Sequence, residues 1–345
     1  MYSLIRRLIF LFDAETAHVY SLKIMSLANS IGIFSLFIKK RVDAPVTVMG
    51  INFPNAVGLA AGLDKNARHI DALKQCGFGF LEVGTVTPVA QPGNDKPRLF
   101  RLLADRAIIN RMGFNNDGVT SLLNNVKQSN WFKQKYGRCI LGINIGKNKS
   151  TPLENAVDDY LSCMDQVYDF ADYITINISS PNTPGLRELQ HGEGLSSLLR
   201  QLKEKQTELV NQGHAYVPLV VKIAPDLDEI EIQDIADRLL AEKIDGVIAT
   251  NTTNSRPASL SCKVLASESG GLSGLPMFEL STQVLKLLVK ALDGKIPVIA
   301  AGGISSAEQA QQKIDAGASL VQIYTGFIYD GPKLICDCAE ALKSI

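Results

Sequence analysis

The stretch from Asp172 to Asn182 reads DYITINISSPN. Tyr173 to Ile178 interleaves apolar and β-branched side chains, the pattern of a buried strand. The run then breaks into small polar groups, Asn177, Ser179, Ser180 and Asn182, and Pro181 ends the extended backbone. A hydrophobic strand that delivers amides and hydroxyls to one end is how a barrel enzyme assembles a site. One such strand says little, because an ordinary polar turn looks the same. The arrangement recurs along the chain.

Seven further strand patterns flank it: Ala56–Ala61, Gly79–Thr85, Cys139–Ile145, Val217–Ala224, Gly246–Thr250, Ile296–Ala301 and Leu320–Tyr324. Helical patterns at Asp64–Cys76, Leu195–Val210, Glu229–Glu242, Leu280–Leu292 and Ala307–Ala316 separate many of them, with Gly77 closing the first. Eight strands with helical crossovers predict a parallel α/β fold, a (β/α)₈ TIM barrel filled by Leu, Ile and Val. Before it, Arg41–Pro45 reads as a linker and Val46–Phe53, pivoting on Gly50, as a short hairpin. Two connections are too long for turns, Thr87–Asn116 and Ser179–Gly194. The second, rich in Pro and Gly, has the composition of a lid.

The chain has 345 residues, 46% of them hydrophobic, which supports a large core. Lys plus Arg and Asp plus Glu balance at 35 each, so nucleic acid is not an expected partner. The six cysteines lie among apolar neighbours with no C-x-x-C spacing, which reads as reduced thiols in a cytosolic compartment. The four histidines, His18, His69, His191 and His214, show no zinc spacing, and no metal is expected.

Residues 1–42 differ from the rest. Leu4, Ile5, Leu8, Ile9 and Phe12 recur at helical spacing around Arg6 and Arg7, and Asp13 is placed to cap a second helix carrying His18, Leu22, Met25 and Leu27. Ile31–Ile38 is apolar again and ends in Lys39, Lys40 and Arg41. No run approaches the roughly 20 apolar residues of a spanning helix, and the acidic Asp13 and Glu15 fit a signal peptide poorly. Two short amphipathic helices remain, which either lie in a membrane interface or pack on the body.

The strand ends carry the chemistry. They present Lys65, Thr85, Asn144, Asn177 with Ser180, Lys222, Thr250 with Asn251 and Thr252, Gly302-Gly303, and Tyr324-Thr325-Gly326. The glycine pair and Thr325-Gly326 resemble a phosphate cradle, to which Gly271 and Gly274 add. Lys222, inside an apolar strand, must pair with an anion or lose its charge. It either stabilises negative charge on a reduced ring or acts as a Schiff-base nucleophile in an aldolase-like barrel. Asn110, Asn115, Asn116, Asn144, Asn177, Asn182 and Asn251 offer uncharged donors and acceptors, suited to a pyrimidine or a flavin. With no paired carboxylates or histidines, the Ser180 hydroxyl is left as the proton acceptor.

These residues closely resemble the membrane-associated, quinone-dependent class of dihydroorotate dehydrogenase, over essentially the whole chain. The matching stretches are GLAAGLDK (58–65), EVGTVTP (82–88), PGNDKPRLFR (92–101), NRMGFNN (110–116), LGINIGKN (141–148), NISSPNTPGLR (177–187), VKIAPD (221–226), ATNTT (249–253), GGLSG (270–274) and GGI (302–304). The resemblance implies FMN across the barrel mouth, held by Ala61, Gly62, Leu63, Asp64, Lys65, Thr85, Asn144, Asn177, Lys222, Thr250, Gly274, Gly303, Tyr324 and Thr325. It implies dihydroorotate against Lys65, Asn110, Arg111, Met112, Gly113, Phe114, Asn177, Asn182, Asn251 and Thr252. Ser180 would take the C5 proton as a hydride leaves C6; the family's soluble class uses cysteine there. Residues 1–42 would form a quinone tunnel, with His18, Arg101 and Tyr324 near its inner end, ahead of a catalytic barrel spanning 43–345. The implied enzyme serves de novo pyrimidine synthesis, peripheral on the cytoplasmic face of the inner membrane.

Overall fold

The computed structural model describes residues 2–36, 38, 40–134 and 139–343; Lys39 of the basic run lies outside them. Eight parallel strands close into a barrel: β1 (Val57–Leu59), β2 (Phe80–Val86), β3 (Ile140–Ile145), β4 (Tyr173–Asn177), β5 (Leu219–Ile223), β6 (Gly246–Ala249), β7 (Val298–Ala301) and β8 (Leu320–Ile323). Each strand pairs with its neighbour in the chain, and β8 closes onto β1 with Val321 opposite Val57. The TIM barrel read from the sequence is the fold observed.

Large and small side chains alternate to fill the barrel. A Cβ on Gly142 of β3 would fall 2.2 Å from the Tyr173 ring, and one on Gly58 of β1 would meet Phe80 at the same distance. The two rings then contact edge to face at 6.4 Å. Glycine in these strands is therefore a packing requirement for the aromatic layer rather than a turn signal.

The hairpin is present: Val46–Val48 pairs antiparallel with Ile51–Phe53 across Met49 and Gly50, both at positive φ. The linker before it is more tied down than its composition suggests. Val42 is buried, and Ala44 N–H donates to the Pro54 carbonyl.

Three expectations need correction. The helix expected over Asp64–Cys76 is only Ile70–Lys74. The Asp64 carboxylate accepts the Arg68 and His69 backbone N–H groups, and Ala67 sits at φ 57°, so this segment is held as a turn. The connection Thr87–Asn116 is not an irregular loop. Leu99–Leu102 and Ala107–Asn110 form a hairpin, and Gly271–Gly274 adds a third antiparallel strand. Finally, Ser179–Gly194 contains a 3-10 turn at Leu186–Gln190 and runs into a helix that begins at Gly192.

The N-terminal segment forms α1 (Tyr2–Ile9) and α2 (Ala14–Ser30). Asp13 caps α2, its carboxylate accepting the Glu15 and Thr16 N–H groups at 3.0 Å. Phe12 lies beyond the end of α1, although its spacing suited a continuation. Tyr2 donates to the Ile328 carbonyl at 2.7 Å, and Arg6 to that of Tyr329 at 2.5 Å, which fastens α1 to the barrel. Glu15 takes a bidentate pair of bonds from Arg98, at 2.8 Å and 3.1 Å, fastening α2 to the loop before the Leu99–Leu102 strand.

Candidate active site

The carboxyl-terminal ends of the strands surround a cleft of about 1120 Å³, counting its open mouth. Gly62 and Lys65 follow β1, Thr85 ends β2, Asn177 and Ser180 lie at the end of β4, and Lys222 is on β5. Thr250, Asn251 and Thr252 follow β6; Gly302, Gly303, Tyr324 and Thr325 follow the last two strands. The hairpin segment contributes Asn110, Met112, Gly113 and Phe114, and the third strand contributes Gly274. Thus residues read separately along 265 positions, from Ala61 to Thr325, line one space.

Four residues expected at the cofactor or the substrate stay off the lining. Leu63 and Asp64 are buried behind it, Asp64 as the turn cap described above. Asn144 is buried below the mouth, accepting from Thr85 Oγ1 at 2.5 Å and from Asn177 Nδ2 at 3.2 Å while donating to Glu82. Its role is to orient the two residues above it. The Arg111 side chain turns outward to pair with Glu268 at 2.6 Å and stack over Phe100.

Beneath the cleft lies a polar layer that sequence reasoning passed over. Glu82 on β2, 0% exposed, accepts from Asn144 Nδ2 at 2.8 Å, Tyr173 at 3.0 Å, Thr175 at 3.1 Å and Gln322 Nε2 at 2.8 Å. It also supplies the negative charge acting on Lys222. Burial pulls the Lys222 ammonium below the ordinary lysine range, and Glu82 opposes that pull. The anion that Lys222 required is therefore inside the barrel. A carboxylate breaking the apolar run of β2 was the available signal, equivalent to the lysine breaking β5.

The upper layer is a net of neutral groups. Asn177 Nδ2 donates to Thr85 Oγ1 at 2.8 Å, and Asn251 Nδ2 donates to Ser179 Oγ at 3.0 Å. Asn182 Nδ2 donates to Asn110 Oδ1 at 3.1 Å, joining the lid segment to the hairpin. Ser180 is buried, and its Oγ accepts the Asn182 backbone N–H at 3.2 Å. Arg187, unnoticed in the sequence, donates to the carbonyls of Ser179 at 3.1 Å and Thr252 at 2.9 Å and pairs with Asp226. It fastens the lid segment across the strand ends on either side of Lys222.

Lys65 donates to Asn115 Oδ1. Burial, assisted by repulsion from Arg98, lowers its pKa to about 7, while Glu15 opposes the shift. Among the described residues, those lining the cleft include no Asp, Glu or His.

Of the residues expected near a tunnel, Tyr324 lines the cleft and reaches the Gly62 carbonyl at 3.4 Å. His18 on α2 lies against the Leu63 backbone near Lys65, and burial drops its pKa to about 4. Arg101 stacks over the Phe10 ring at 4.5 Å, and its buried Nη1 has no partner among the described residues.

A closed barrel with amides, two cations and glycines gathered at its mouth defines the class, a (β/α)₈-barrel enzyme. The family model for dihydroorotate dehydrogenase matches residues 44–345, and the chain belongs to that family, which is flavin-dependent. It is 61% identical to a dihydroorotate dehydrogenase (quinone) of Idiomarina loihiensis over 97% of this chain and 98% of that protein. A namesake from Chromobacterium violaceum is 56% identical over 99% and 97% of the two chains. The ferulenol-bound crystal structure of DHODH from Eimeria tenella superimposes with a TM-score of 0.86 at 39% identity, over 96% of this chain and 90% of that one.

Proposed function

We propose that this chain oxidises dihydroorotate to orotate with FMN as cofactor and a membrane quinone as acceptor, a step of de novo pyrimidine synthesis. The observation that carries the reading is the convergence of Ser180, Lys65, Lys222, four asparagines and the glycine cradle on one cleft. When bound, FMN supplies hydride acceptance and onward electron transfer.

The residues present suit that group. Gly303 and Gly274 leave no room for a side chain: a Cβ would fall 2.4 Å from Phe278 Cα in one case and from the Arg106 carbonyl oxygen in the other. Bare backbone at these points, with Thr325 beside Ser273 at 2.9 Å, is a cradle for a phosphate. Gln322 Oε1, buried at the cleft, has no donor among the described residues, so an acceptor is held ready for a ring N–H. Ala61, Gly62, Lys65, Thr85, Asn177, Lys222, Thr250, Gly274, Gly303, Tyr324 and Thr325 would hold the cofactor, with Asn144 and Asp64 supporting from behind.

The substrate's carboxylate meets Lys65, and its amide edges meet Asn110, Asn177, Asn182 and Asn251. Met112, Gly113, Phe114 and Thr252 complete the pocket, and Arg111 contributes as the outward anchor of that segment. Ser180 accepts the C5 proton. Its bond from the Asn182 N–H leaves the hydroxyl hydrogen free to leave toward another acceptor. Lys222 supplies positive charge where reduction adds electron density, a preorganised effect.

Residues 1–42 form the quinone and membrane segment in this reading, and 43–345 the catalytic barrel. Among the described residues no helix is long and apolar enough to cross a membrane, so attachment is through the surface of α1 and α2. The exposed apolar side chains there support it. Arg101 Nη1, without a partner among the described residues, offers a quinone carbonyl a donor, with Tyr324 and His18 as the other residues of that site. Adding dihydroorotate anaerobically to the purified yellow protein should bleach it, and a quinone should restore the colour. A colourless protein, or a yellow one indifferent to dihydroorotate, overturns the reading.

A further inference from the structure

We propose that Lys313 is a positioning residue for the cofactor's phosphate, a buried cation behind the glycine cradle that gives the site its preference for a phosphorylated flavin. The inference rests on the FMN reading above and goes beyond it.

Lys313 lies in the last turn of the helix Ala307–Asp315 and is 0% exposed. Its side chain runs back toward the barrel mouth, as helical side chains lean toward the N-terminus of their helix. There Nζ donates to Ser281 Oγ at 2.7 Å and to the Phe278 carbonyl at 3.5 Å, and sits 4.9 Å from the centre of the Phe278 ring. These partners are a hydroxyl, a carbonyl and a π face. Among the described residues no carboxylate forms an ion pair with it; Glu279, from further away, is the charged group that acts on it.

A buried ammonium without a contacting anion is costly. The cost is visible in its acidity, since burial lowers the pKa to about 7 and Glu279 only partly opposes the shift. A well-packed apolar residue would avoid that cost, so the charge calls for a partner.

The direction in which the ammonium faces identifies one. Ser281 Oγ, which receives the Lys313 bond, donates in turn to the Gly302 carbonyl at 3.0 Å. A Cβ on Gly302 would fall 2.8 Å from Ser281 Oγ, and one on Gly303 2.5 Å from the Phe278 nitrogen. The two groups that hold Lys313 are thus the two surfaces on which the cradle glycines rest. The cation stands one side chain behind backbone that faces the cleft, where a phosphate dianion would bring the missing negative charge. Screening by water is weak in so buried a layer, and attraction acts across several ångströms.

The rival account makes Lys313 a clamp between the helices Ala307–Asp315 and Phe278–Leu292, with no concern for the ligand. A comparison of FMN with riboflavin, which carries the same ring and no phosphate, separates the two. Apoprotein is titrated with each flavin by fluorescence quenching, for wild type, Lys313→Met and Lys313→Arg. In Lys313→Met, FMN affinity should fall about tenfold or more, the size expected of a charge pair at an effective dielectric of about 20, with riboflavin affinity unchanged. Lys313→Arg should recover part of the loss. Between pH 7 and 9 the wild-type preference for FMN should decline as Lys313 loses its proton, while the phosphate stays a dianion. Lys65 titrates in the same range, but it is present in every variant, so the part of the decline that Lys313 causes should vanish both in Lys313→Met and in Lys313→Arg, whose guanidinium keeps its charge throughout. Equal losses for both flavins, or no loss, overturn the proposal. If Lys313→Met does not fold, a wild-type FMN-to-riboflavin ratio that is constant over this pH range overturns it instead. Wild-type protein that binds neither flavin refutes the FMN reading itself, a separate outcome.

Discussion

The first 36 residues and the barrel treat apolar side chains in opposite ways. Inside the barrel, strands such as β4 and β5 are buried at every position. In α1 no residue is buried, and in α2 only Ala17 and Leu22 are. Twelve of the twenty exposed large apolar side chains among the described residues precede residue 37, with Leu11 at 81% and Leu36 at 77% exposure. A monomer in water rarely leaves such a surface uncovered. The barrel's apolar residues build a rigid frame for a polar cleft. Those of the N-terminal helices are held outward on polar anchors, Tyr2, Arg6 and Glu15, and the proposed function gives that surface to a membrane. On that reading, one chain separates the chemistry from the medium in which its electron acceptor dissolves.

The strongest way to break that division is to delete residues 1–42. Quinone turnover should be abolished and binding to lipid vesicles lost, while dihydroorotate still bleaches the flavin in the remaining barrel. Quinone reduction that persists at the full-length rate would show that α1 and α2 have no part in acceptor access. The converse change is Ser180→Ala, confined to the cleft. It should slow flavin reduction by about 10²–10⁴-fold, without loss of FMN or of vesicle binding. A stopped-flow trace at the wild-type rate would remove Ser180 from its assigned role.

The anchor between the two regions is testable at intermediate size. Glu15→Gln removes the charge that Arg98 grips from a part-buried position. Hydrogen bonds to charged groups contribute about 1.5–3 kcal/mol. Amide exchange across Ala14–Ser30 should therefore quicken by roughly 10- to 100-fold, with the barrel strands unchanged. Equal acceleration in both regions would mean that α2 and the barrel open together.

The barrel was legible because each strand is apolar, bounded by turns and separated by helical periodicity. The cleft was legible because its polar groups fall where those strands end, which is a local property of the sequence. What escaped were relations between distant segments. The Leu99–Leu102 hairpin finds its third strand at Gly271–Gly274, more than 150 residues away, where the glycines suggested part of a phosphate cradle and not a strand. Asp64 was expected to open a helix, yet its carboxylate is used on two backbone N–H groups and delays the helix to Ile70. Glu82, Gln322, Arg187 and Lys313 each act through partners that only the closed barrel brings near. A charged or amide side chain within an otherwise apolar strand was the trace of Glu82 and Gln322 in the sequence, whereas Arg187 in a turn and Lys313 on a largely polar helix left none. Lys222 was read that way, and Glu82 deserved the same reading.

The finest probe of the cleft is the protonation of Lys65. Its pKa in the folded protein is about 7, below the ordinary lysine value of 10.5, because burial disfavours the ammonium and Arg98 repels it. The unfolded chain therefore binds more protons than the folded one between these limits, so this group makes folding more favourable as pH rises from about 7 to 10.5. Ligand binding has the opposite sign. A carboxylate ligand prefers the charged form, which is full below pH 7 and lost above it, and the ligand's own charge stays constant across this range. Orotate affinity, followed through the flavin spectrum, should weaken above pH 7 by up to about tenfold per unit. Lys65→Gln should bind orotate weakly with a flatter dependence, while vesicle binding by α1 and α2 stays as in the wild type. An orotate affinity that is level from pH 6 to 9 in the wild-type protein would show that Lys65 does not carry the carboxylate contact.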